Sequence, residues 1–278
     1  MDRTDVPRRL YDIRLHSVET AIAQGGGTGV HGTNPQVSRR VRISVLEGLI
    51  VDAVIAQQAA DDGIAPGQAV VDAELAAEAR AAGGLNILVA AQQQAGGGLD
   101  QLRDEIRSRL TESRLEARFA AGRAAAALAA LSAGQAFADV AAQYSDDDGS
   151  RPRGGDLGVL TLDQLHAGDP AFAAAVMALQ PGQLTPAPVR DRAGYEVLRL
   201  DAAGPTTRAL HRILVAAPDP YTVKERPSWF AQLVLQRVAD LCSQDRIRVF
   251  LAGVPQPCAS PAAAPGMPGA SPTPTSTR

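Results

Sequence analysis

Few residues of this chain have the types and spacing that metal, thiol or phosphate chemistry requires. The four histidines are scattered and show no HExxH or similar ligand spacing: His16, His31, His166 and His211. Two cysteines are too few for a Cys-only zinc site or a disulfide scaffold. The glycine-rich stretch at 25–35 lacks the GK[ST] of a phosphate-binding loop, which favours a flexible loop. The other candidates are acidic and apolar residues between 144 and 201.

Composition limits the class of protein. A length of 278 residues corresponds to roughly two domains. Hydrophobic residues make up 45% and aromatic residues only 4%, so the core must consist largely of Leu, Val, Ile and Ala. A net charge of −3 argues against a dedicated nucleic-acid binder.

The two ends of the chain carry separate expectations. No window of 18 or more apolar residues occurs, so the sequence predicts no transmembrane helix, and the N-terminus has no apolar segment typical of a signal peptide. Residues 254–278 are rich in Pro, Ala, Ser and Thr, which predicts a disordered tail that can be removed without loss of stability. Cys258 lies in that tail and Cys242 in a helical pattern, so both are expected to be free thiols.

Apolar residues recur at helical spacing through the first 120 residues, which predicts an all-helical region. Helices are expected over 4–24 and 37–62, from Pro66 onwards, and over 99–120, with a glycine-broken stretch before the last. The strongest pattern ends at Gly63 and has a continuous apolar stripe, formed by Val41, Val45, Leu46, Leu49, Ile50 and Val54.

After residue 121 helical and strand patterns alternate, which predicts an α+β module. Two short helices separated by Gly134 come first. Strands are expected at the end of 151–160, in PGQLTPAPVR, in GYEVLRLD, at 209–218 and at 246–251, with helices between the first two and over 225–244.

Several pieces in this region occur in a specific order: GQAF, AAQYSDD, GGDLG, Phe172 with its helix, PGQLTPAPV and a final GYxVxxL strand. In that order they resemble the parvulin (PpiC) family of peptidyl-prolyl isomerases over about residues 123–201. The helices before them are similar to the helical chaperone domain of SurA-type and PrsA-type foldases. The helix and strand at 225–251 look like the segment that returns to that domain.

This resemblance implies a domain organisation and a setting. A helical chaperone domain over 1–121, completed by 225–253, would precede a parvulin-like domain over 122–218 with a small antiparallel sheet and the tail over 254–278. Clients would be unfolded or proline-containing polypeptides, with no nucleic acid. The family suggests the cell envelope or the outside, whereas the N-terminus encodes no export signal and leaves the cytoplasm open.

Prolyl isomerisation requires no nucleophile, metal or cofactor. The barrier of about 18–20 kcal/mol arises from the partial double-bond character of the amide. An apolar pocket for the proline ring and a few placed polar groups suffice, since each ~1.4 kcal/mol of preferential binding to the twisted amide gives a tenfold increase in rate.

The resemblance assigns pocket residues. The parvulin ring pocket consists of the leucine of GGDLG, a Met or Leu soon after it and a Phe on the next helix, which correspond here to Leu157, Leu165 and Phe172. Met177 follows on the same helix and is expected to pack behind Phe172. The alternative is that all four are ordinary core residues.

Polar site residues follow from the same resemblance. Asp147 occupies the place of the polar residue after the tyrosine-serine pair, unless the run from Asp146 to Asp148 is simply a solvated loop. Parvulins carry two histidines, on the first and last strands. The last strand should read GYHI but here reads GYEV, so Glu196 replaces that histidine.

The first parvulin strand is missing from its usual place before the helix near Arg123. Residues 209–218 offer a replacement, because a strand that follows GYEVLRLD through a short turn could pair with it as a hairpin in the empty position. A one-residue insertion means that either His211 or Arg212 faces the site, but not both. Residues 209–218 could instead pair elsewhere or serve as a linker.

The sequence therefore favours an isomerase with Asp147, Glu196 and His211 as polar site residues. The alternative is a non-catalytic chaperone or peptide-binding protein with a degenerate parvulin domain, which the loss of the histidines favours. Retention of Asp147 and of the apolar pocket favours the enzyme.

Overall fold

The computed structural model describes most of the chain: Tyr11, Asp12, Leu15, Val18, residues 35–94, 97–219, Tyr221, residues 226–250 and Cys258. The described residues divide into two compact units. One contains residues 51–235, and the other contains the described residues of 6–50 and 236–278. Most of the expected helix at 4–24, the glycine-rich loop and, apart from Cys258, the tail over 254–278 lie outside the described residues.

Helices dominate the described chain, together with a small sheet. The α-helices are α1 (Pro35–Asp61), α2 (Gln68–Ala81), α3 (Leu85–Gln94), α4 (Leu99–Ser132), α5 (Phe137–Tyr144), α6 (Leu162–Ala167), α7 (Pro170–Ala178) and α8 (Ser228–Ser243). The strands are β1 (Asp156–Thr161), β2 (Val189–Arg190), β3 (Gly194–Ala203) and β4 (Thr207–Ala216), and a short 3₁₀ helix covers Arg151–Arg153. This architecture confirms the predicted α+β class.

The four strands form one antiparallel sheet in the order β1-β4-β3-β2. Strand β4 follows β3 through a tight turn, where the Gly204 N–H donates to the Thr207 carbonyl at 2.9 Å. The two strands pair along their length, from Gly194 opposite Ala216 to Arg199 opposite His211. β4 thus forms a hairpin with the GYEV strand and separates it from β1, as the sequence predicts for a replacement of the missing first strand.

Three apolar clusters hold the elements of residues 51–235 together, and the one between α6, α7 and the sheet lies at the candidate active site. One joins α2, α3 and α4 through Val71, Leu75, Leu102, Ile106 and the partly buried Leu88. The largest one includes residues of α1, α4, α5, β3, β4 and α8, among them Ile55, Leu115, Phe137, Ile213 and Phe230. Trp229, Phe230 and Val234 of α8 therefore pack against both the long helix α4 and one face of the sheet.

Helix α4 is longer than the sequence analysis expected. It continues from Leu99 to Ser132 and includes the first of the two short helices predicted after residue 121. Its alanine-rich second half has high helix propensity, which offsets the cost of about 1 kcal/mol for Gly122 in the helix interior. The segment 85–94, expected as a glycine-broken stretch, is also helical, and Pro66 lies just before α2 rather than in its first turn.

Residues 246–250 are not a strand, contrary to the prediction for 246–251. Their alternating apolar pattern is typical of a strand, but a strand needs a partner, and none of the four described strands pairs with them. The Arg248 guanidinium forms an ion pair with Asp245 at 2.8 Å.

One described helical segment, Val41–Asp61, is long and apolar enough to cross a membrane, which the sequence analysis did not expect. A core helix of a soluble protein meets the same criteria of length and composition. The buried residues Val54, Ile55 and Ala59 lie on this segment. The evidence for a membrane span is therefore weak.

The two cysteines form a disulfide, so the expectation of free thiols is wrong. Cys242 at the end of α8 and Cys258 have Cα atoms 5.1 Å apart, a distance that suits a disulfide. The sequence argument failed because it assigned Cys258 to a disordered tail that would not fix this geometry. The bond ties Cys258 to the end of helix α8.

We expect the unreduced protein to take up no iodoacetamide at either cysteine, as measured by mass spectrometry. Cys258→Ser should lower the free energy of unfolding by about 3 kcal/mol, because the bridge closes a loop across a sequence separation of 16 residues. Truncation after Gly253 should cost as much, whereas truncation after Cys258 should cost little. Labelling of both cysteines without reductant would refute the disulfide.

Candidate active site

Alternation along β3 and β4 places the candidate residues on two faces of the sheet. Glu196, Leu198 and Leu200 of β3 share a face, and the opposing positions on β4 are Leu214, Arg212 and Leu210. Helices α6 and α7 cover this face, which we call the α6–α7 face. The two helices are held there by apolar packing: Leu165 of α6 and Phe172 of α7 belong to one cluster with residues of the sheet. The sheet residues of this cluster are Leu198, Leu200 and Leu210.

Local sequence determines where α6 and α7 begin. Thr161 and Gln164 form a capping box, in which the Gln164 N–H donates to Thr161 Oγ1 at 3.2 Å and the Thr161 N–H donates to Gln164 Oε1 at 2.8 Å. Asp169 caps α7 by accepting the Ala171 N–H at 2.8 Å, and Pro170 occupies the first turn. These caps orient Leu165 and Phe172 toward the sheet.

The three expected pocket residues belong to one apolar cluster on the α6–α7 face. Leu165 is 2% exposed and Phe172 is 8% exposed, and the partly buried Leu157 packs against the same cluster. The structure thus brings Leu157, Leu165 and Phe172 together, with Leu157 the most accessible of the three.

Met177 does not pack behind Phe172, contrary to the expectation. Its side chain is 44% exposed, whereas Val176 is fully buried in the cluster with Phe172. The helical rotation of about 100° per residue explains the difference: Val176, four residues after Phe172, lies on the same side of the helix, whereas Met177, five residues after it, is turned roughly 140° away.

The GGDLG turn brings β1 close to β4. Gly155 has φ +88°, and a Cβ atom there would lie 2.7 Å from the Phe137 ring and 2.9 Å from the Arg212 carbonyl oxygen. The Arg212 N–H donates to the Gly155 carbonyl at 2.8 Å. Only glycine fits this close approach, so the motif fixes the backbone beside Arg212.

Three charged residues meet next to the apolar cluster, and we call them the polar trio: Asp147, Glu196 and Arg212. Arg212 Nε lies 3.5 Å from Asp147 Oδ2 and 3.6 Å from Glu196 Oε2. Arg212 is opposite Leu198, a member of the cluster, so the trio borders the apolar cluster. Arg212 Nε has no hydrogen-bond partner among the described residues, although it is buried.

The acidic run before the GGDLG turn is an ordered loop in which each residue has its own contacts. Asp146 donates its N–H to the Leu214 carbonyl at 2.7 Å, and its carboxylate accepts the Ala216 N–H and Trp229 Nε1–H, both at 2.9 Å. Asp147 points instead toward Arg212. Asp148 is exposed and pairs with Arg151 at 2.7 Å. The alternative of a merely solvated loop therefore applies only to Asp148.

Hydrogen bonding keeps Asp147 ionised. Partial burial pushes its pKa up, but the Ser150 hydroxyl, the Arg212 guanidinium and the backbone N–H groups of Gly149 and Ser150 outweigh it, so the pKa is lowered. The Gly149 N–H donates to Oδ1 at 3.3 Å and the Ser150 N–H to Oδ2 at 3.2 Å. Asp147 is thus a charged partner for Arg212 at neutral pH.

The pKa of Glu196 is shifted in the opposite direction to that of Asp147. The Glu196 side chain is fully buried, and burial raises its pKa to about 8, against the opposing effect of Arg212 and with a further increase from the Asp191 and Asp147 carboxyls. Glu196 is therefore mostly protonated at pH 7 and can donate a hydrogen bond. The sequence analysis identified Glu196 only as a replaced histidine and gave no reason to expect this protonation.

His211 lies on the opposite face of the sheet from the polar trio. Its ring contacts Phe137 edge-on, with centroids 5.1 Å apart, and its Nδ1 lies 2.5 Å from Asp201 Oδ2. The alternation that directs Arg212 toward Asp147 and Glu196 directs His211 away. The structure therefore brings together Asp147, Glu196 and Arg212, but not the expected His211.

Sequence reasoning missed one further residue near the trio. Thr185 is buried, and its Oγ1 accepts the Leu198 N–H at 3.2 Å while its own N–H donates to the Leu198 carbonyl at 2.9 Å. It belongs to the GQLTPAPV piece, whose place in the ordered motifs was the available signal.

Comparison with known proteins agrees with this geometry. Residues 91–202 match the family model of the PPIC-type PPIase (rotamase) domain. That segment contains Asp147, Leu157, Leu165, Phe172 and Glu196, whereas Arg212 lies beyond it. Residues 91–202 are therefore a domain of the PPIC-type, or parvulin, family of peptidyl-prolyl isomerases.

Among curated proteins, the chain is similar to SurA chaperones. It is 48% identical to Chaperone SurA of Chromohalobacter salexigens over 68 residues, which are 24% of this chain and 15% of that protein. It is 40% identical to Chaperone SurA of Alkalilimnicola ehrlichii over 70 residues, 25% of this chain and 15% of that protein. The matches thus span only about 15% of the length of these relatives.

Solved structures give a weaker likeness. The peptidylprolyl isomerase PrsA from Bacillus anthracis is 18% identical, with 73% of this chain and 98% of that chain covered at a TM-score of 0.28. Foldase protein PrsA from Streptococcus pneumoniae is 13% identical, with 79% and 88% covered at a TM-score of 0.27. Scores this low carry no argument, and the family assignment rests on the domain match and the site.

Proposed function

We propose that this chain is a peptidyl-prolyl cis-trans isomerase and folding chaperone that acts on X–Pro bonds of unfolded or newly exported polypeptides. The observation that supports the proposal most directly is that the apolar cluster of Leu157, Leu165 and Phe172 meets the polar trio on the α6–α7 face. Segments far apart in sequence contribute to it, from Asp147 to Arg212. The reaction needs this combination of an apolar ring site and adjacent polar groups, and no cofactor.

The pocket and the trio have different tasks in the proposed reaction. Leu157, Leu165 and Phe172 hold the proline ring while the preceding carbonyl rotates. In the twisted state the nitrogen lone pair is no longer delocalised into the carbonyl, so the nitrogen becomes a hydrogen-bond acceptor that the planar amide lacks. A donor placed there binds the twisted state preferentially and lowers the barrier. Arg212, whose side chain is 20% exposed, is the donor that a client can reach, and the neutral, fully buried Glu196 carboxyl leaves its guanidinium free to turn toward the client.

Asp147 orients the guanidinium of Arg212 in this proposal. Because Asp147 is ionised and Glu196 is protonated at neutral pH, the trio as a whole has no net charge, which suits a site beside an apolar pocket. Arg212 takes the part that the sequence analysis gave to His211.

The second candidate function is a non-catalytic chaperone or peptide-binding protein with a degenerate parvulin domain. The observation that favours it is the absence of histidine from the α6–α7 face, where Glu196 and Arg212 stand instead. The pocket would then be a peptide-binding groove. Isomerase activity distinguishes the two functions, since both are compatible with binding of unfolded clients.

We further propose that the chain works outside the cytoplasm, in the cell envelope or beyond. The Cys242–Cys258 disulfide supports this, because disulfides persist in oxidising compartments and are rare in the cytosol of most organisms. The proposed organisation keeps a helical chaperone part over 1–121, completed by 225–253, and a parvulin-like part over 122–218. Its partners would be unfolded or proline-containing polypeptides.

The pH dependence of isomerase activity tests the proposed roles. Glu196 has a raised pKa of about 8, so its carboxyl is neutral at pH 7 and becomes ionised as the pH rises through about 8. The carboxylate then binds Arg212 more strongly and withdraws that donor from the client. We expect wild-type kcat/KM to fall several-fold between pH 7 and pH 9, measured by NMR exchange on an X–Pro peptide. Glu196→Gln, which keeps an N–H donor and does not titrate, should show a flat profile. An equal fall in both proteins would refute the role of Glu196.

A further inference from the structure

A groove of about 600 Å³ lies between the C-terminal half of α7 and the segment 183–189. Its lining consists mostly of Ala, Pro, Leu and Val side chains and includes no charged residue. Gln183 and Thr185 supply the polar side chains of the lining. The volume lies within the range of about 300–1,000 Å³ that is typical of ligand sites and leaves room beyond a single proline ring.

The groove is continuous with the candidate active site. Val189, which lines it, is directly opposite Glu196 in the β2–β3 pairing, so the two side chains are neighbours on one face. Thr185, also in the lining, is hydrogen-bonded to Leu198, which is opposite Arg212. The groove therefore begins beside the polar trio.

Helix α7 links the groove to the pocket as well. Ala175 lines the groove and lies three residues after Phe172, so the two share one stripe of the helix, and Leu179, which also lines the groove, directly follows the end of the helix. A polypeptide whose proline contacts Phe172 can thus extend along this stripe toward Pro186 and Val189.

We propose that this groove binds an apolar side chain of the client, at a residue adjacent to the proline, and so determines the substrate preference of the enzyme. The proposal rests on the isomerase function proposed above. A charged side chain would lose hydration there without gaining a partner, because no charged residue lines the groove. An apolar side chain gains free energy by leaving water.

Two variants of α7 separate the groove from the rest of the helix. Ala178 lines the groove and is exposed, so Ala178→Phe fills the groove without disturbing the buried face. Ala174 is exposed on the same helix and does not line the groove, so Ala174→Phe is the matched control. Both changes replace an exposed alanine of α7 by the same aromatic side chain.

The measurement is kcat/KM for two series of proline tetrapeptides, one varying the residue before the proline and one the residue after it. In the series that varies the residue whose side chain enters the groove, we expect the wild-type kcat/KM to be about tenfold higher for Phe or Leu than for Glu or Lys. Ala178→Phe should abolish this preference, mainly by raising KM for the apolar peptides, and leave the charged peptides unchanged. Ala174→Phe should behave as wild type.

The outcomes distinguish this inference from the proposed function. Isomerisation without an apolar preference in either series would overturn the inference and leave the function intact. If no peptide is isomerised, the binding affinity of the same peptides, fluorescently labelled, is measured by fluorescence anisotropy. Tighter binding of the apolar peptides that is lost in Ala178→Phe would support the inference. Equal binding of apolar and charged peptides would overturn it. A dimer that Ala178→Phe converts to a monomer in sedimentation would assign the groove to a second copy of the chain and also overturn the inference.

Discussion

Phe172→Ala is expected to lower the free energy of unfolding by about 3–5 kcal/mol, because the side chain is 8% exposed in the cluster that joins α7 to the sheet. It should also remove most isomerase activity, since the proline ring loses its aromatic contact. Met177→Ala should change stability by less than about 0.5 kcal/mol, because Met177 is 44% exposed. Urea unfolding and the isomerisation assay provide the two readouts.

Val176→Ala is the control that separates the pocket from the fold. Val176 is fully buried on the same helix, so its truncation should cost about 1.5–3 kcal/mol. It should retain isomerase activity at temperatures where the variant is folded. Equal losses of activity in Val176→Ala and Phe172→Ala would show that Phe172 acts through stability alone.

Glu116→Gln is expected to stabilise the protein by about 1–3 kcal/mol at pH 7. Glu116 is 1% exposed in the middle of α4, and burial together with the neighbouring Glu112 carboxylate raises its pKa to about 8, against the effect of Arg226 and Arg190. In the unfolded chain the carboxyl ionises with a pKa near 4.5. Folding therefore takes up a proton at neutral pH, which makes stability fall as the pH rises from about 4.5 to about 8.

The pH dependence of this gain identifies its cause. The difference between Glu116→Gln and wild type should be small at pH 5, larger at pH 7 and largest at pH 8.5, as measured by urea unfolding. Glu47→Gln, at an exposed helical glutamate, controls for the substitution itself. A difference that does not change with pH would show that Glu116 is already ionised in the folded protein.

Much of the fold follows from sequence patterns. Five of the six residues in the predicted apolar stripe of α1 are buried, and Val41 is partly buried. The position of β4 followed from the family resemblance, in which the first strand is the antiparallel neighbour of the last, so that a strand close behind β3 could fill the empty position. The length of α4 did not, since the sequence analysis ended this helix at residue 120 and expected a separate short helix beyond, whereas the alanine-rich stretch continues it to Ser132.

The sequence predicted most residues of the candidate site but not the register of β4 against β3. The ordered motifs identified Asp147, Glu196 and the pocket residues, but the inserted residue left His211 and Arg212 as equal candidates. The pairing of Leu198 with Arg212 decides between them, and that register depends on the whole β3–β4 hairpin.

The division of the chain into one domain over 1–121 and another over 122–218 stays a prediction.

Other features depend on tertiary contacts that no local pattern reveals. Met177 and Val176 are both apolar, and only the rotation of α7 against the sheet decides which is buried. The raised pKa of Glu196 arises from burial and from Asp191 and Asp147, which come from different segments. The disulfide requires Cys258 to return to the end of α8, which its Pro- and Ala-rich surroundings do not predict.

The most direct measurement for the account as a whole is a protease-coupled isomerisation assay of the wild-type protein on a proline tetrapeptide. The account predicts that the rate of relaxation of the cis isomer increases in proportion to protein concentration. It should exceed the uncatalysed rate, whose time constant is tens to hundreds of seconds. No acceleration, together with continued suppression of aggregation of an unfolded client, would contradict it and establish the protein as a chaperone with a degenerate parvulin domain.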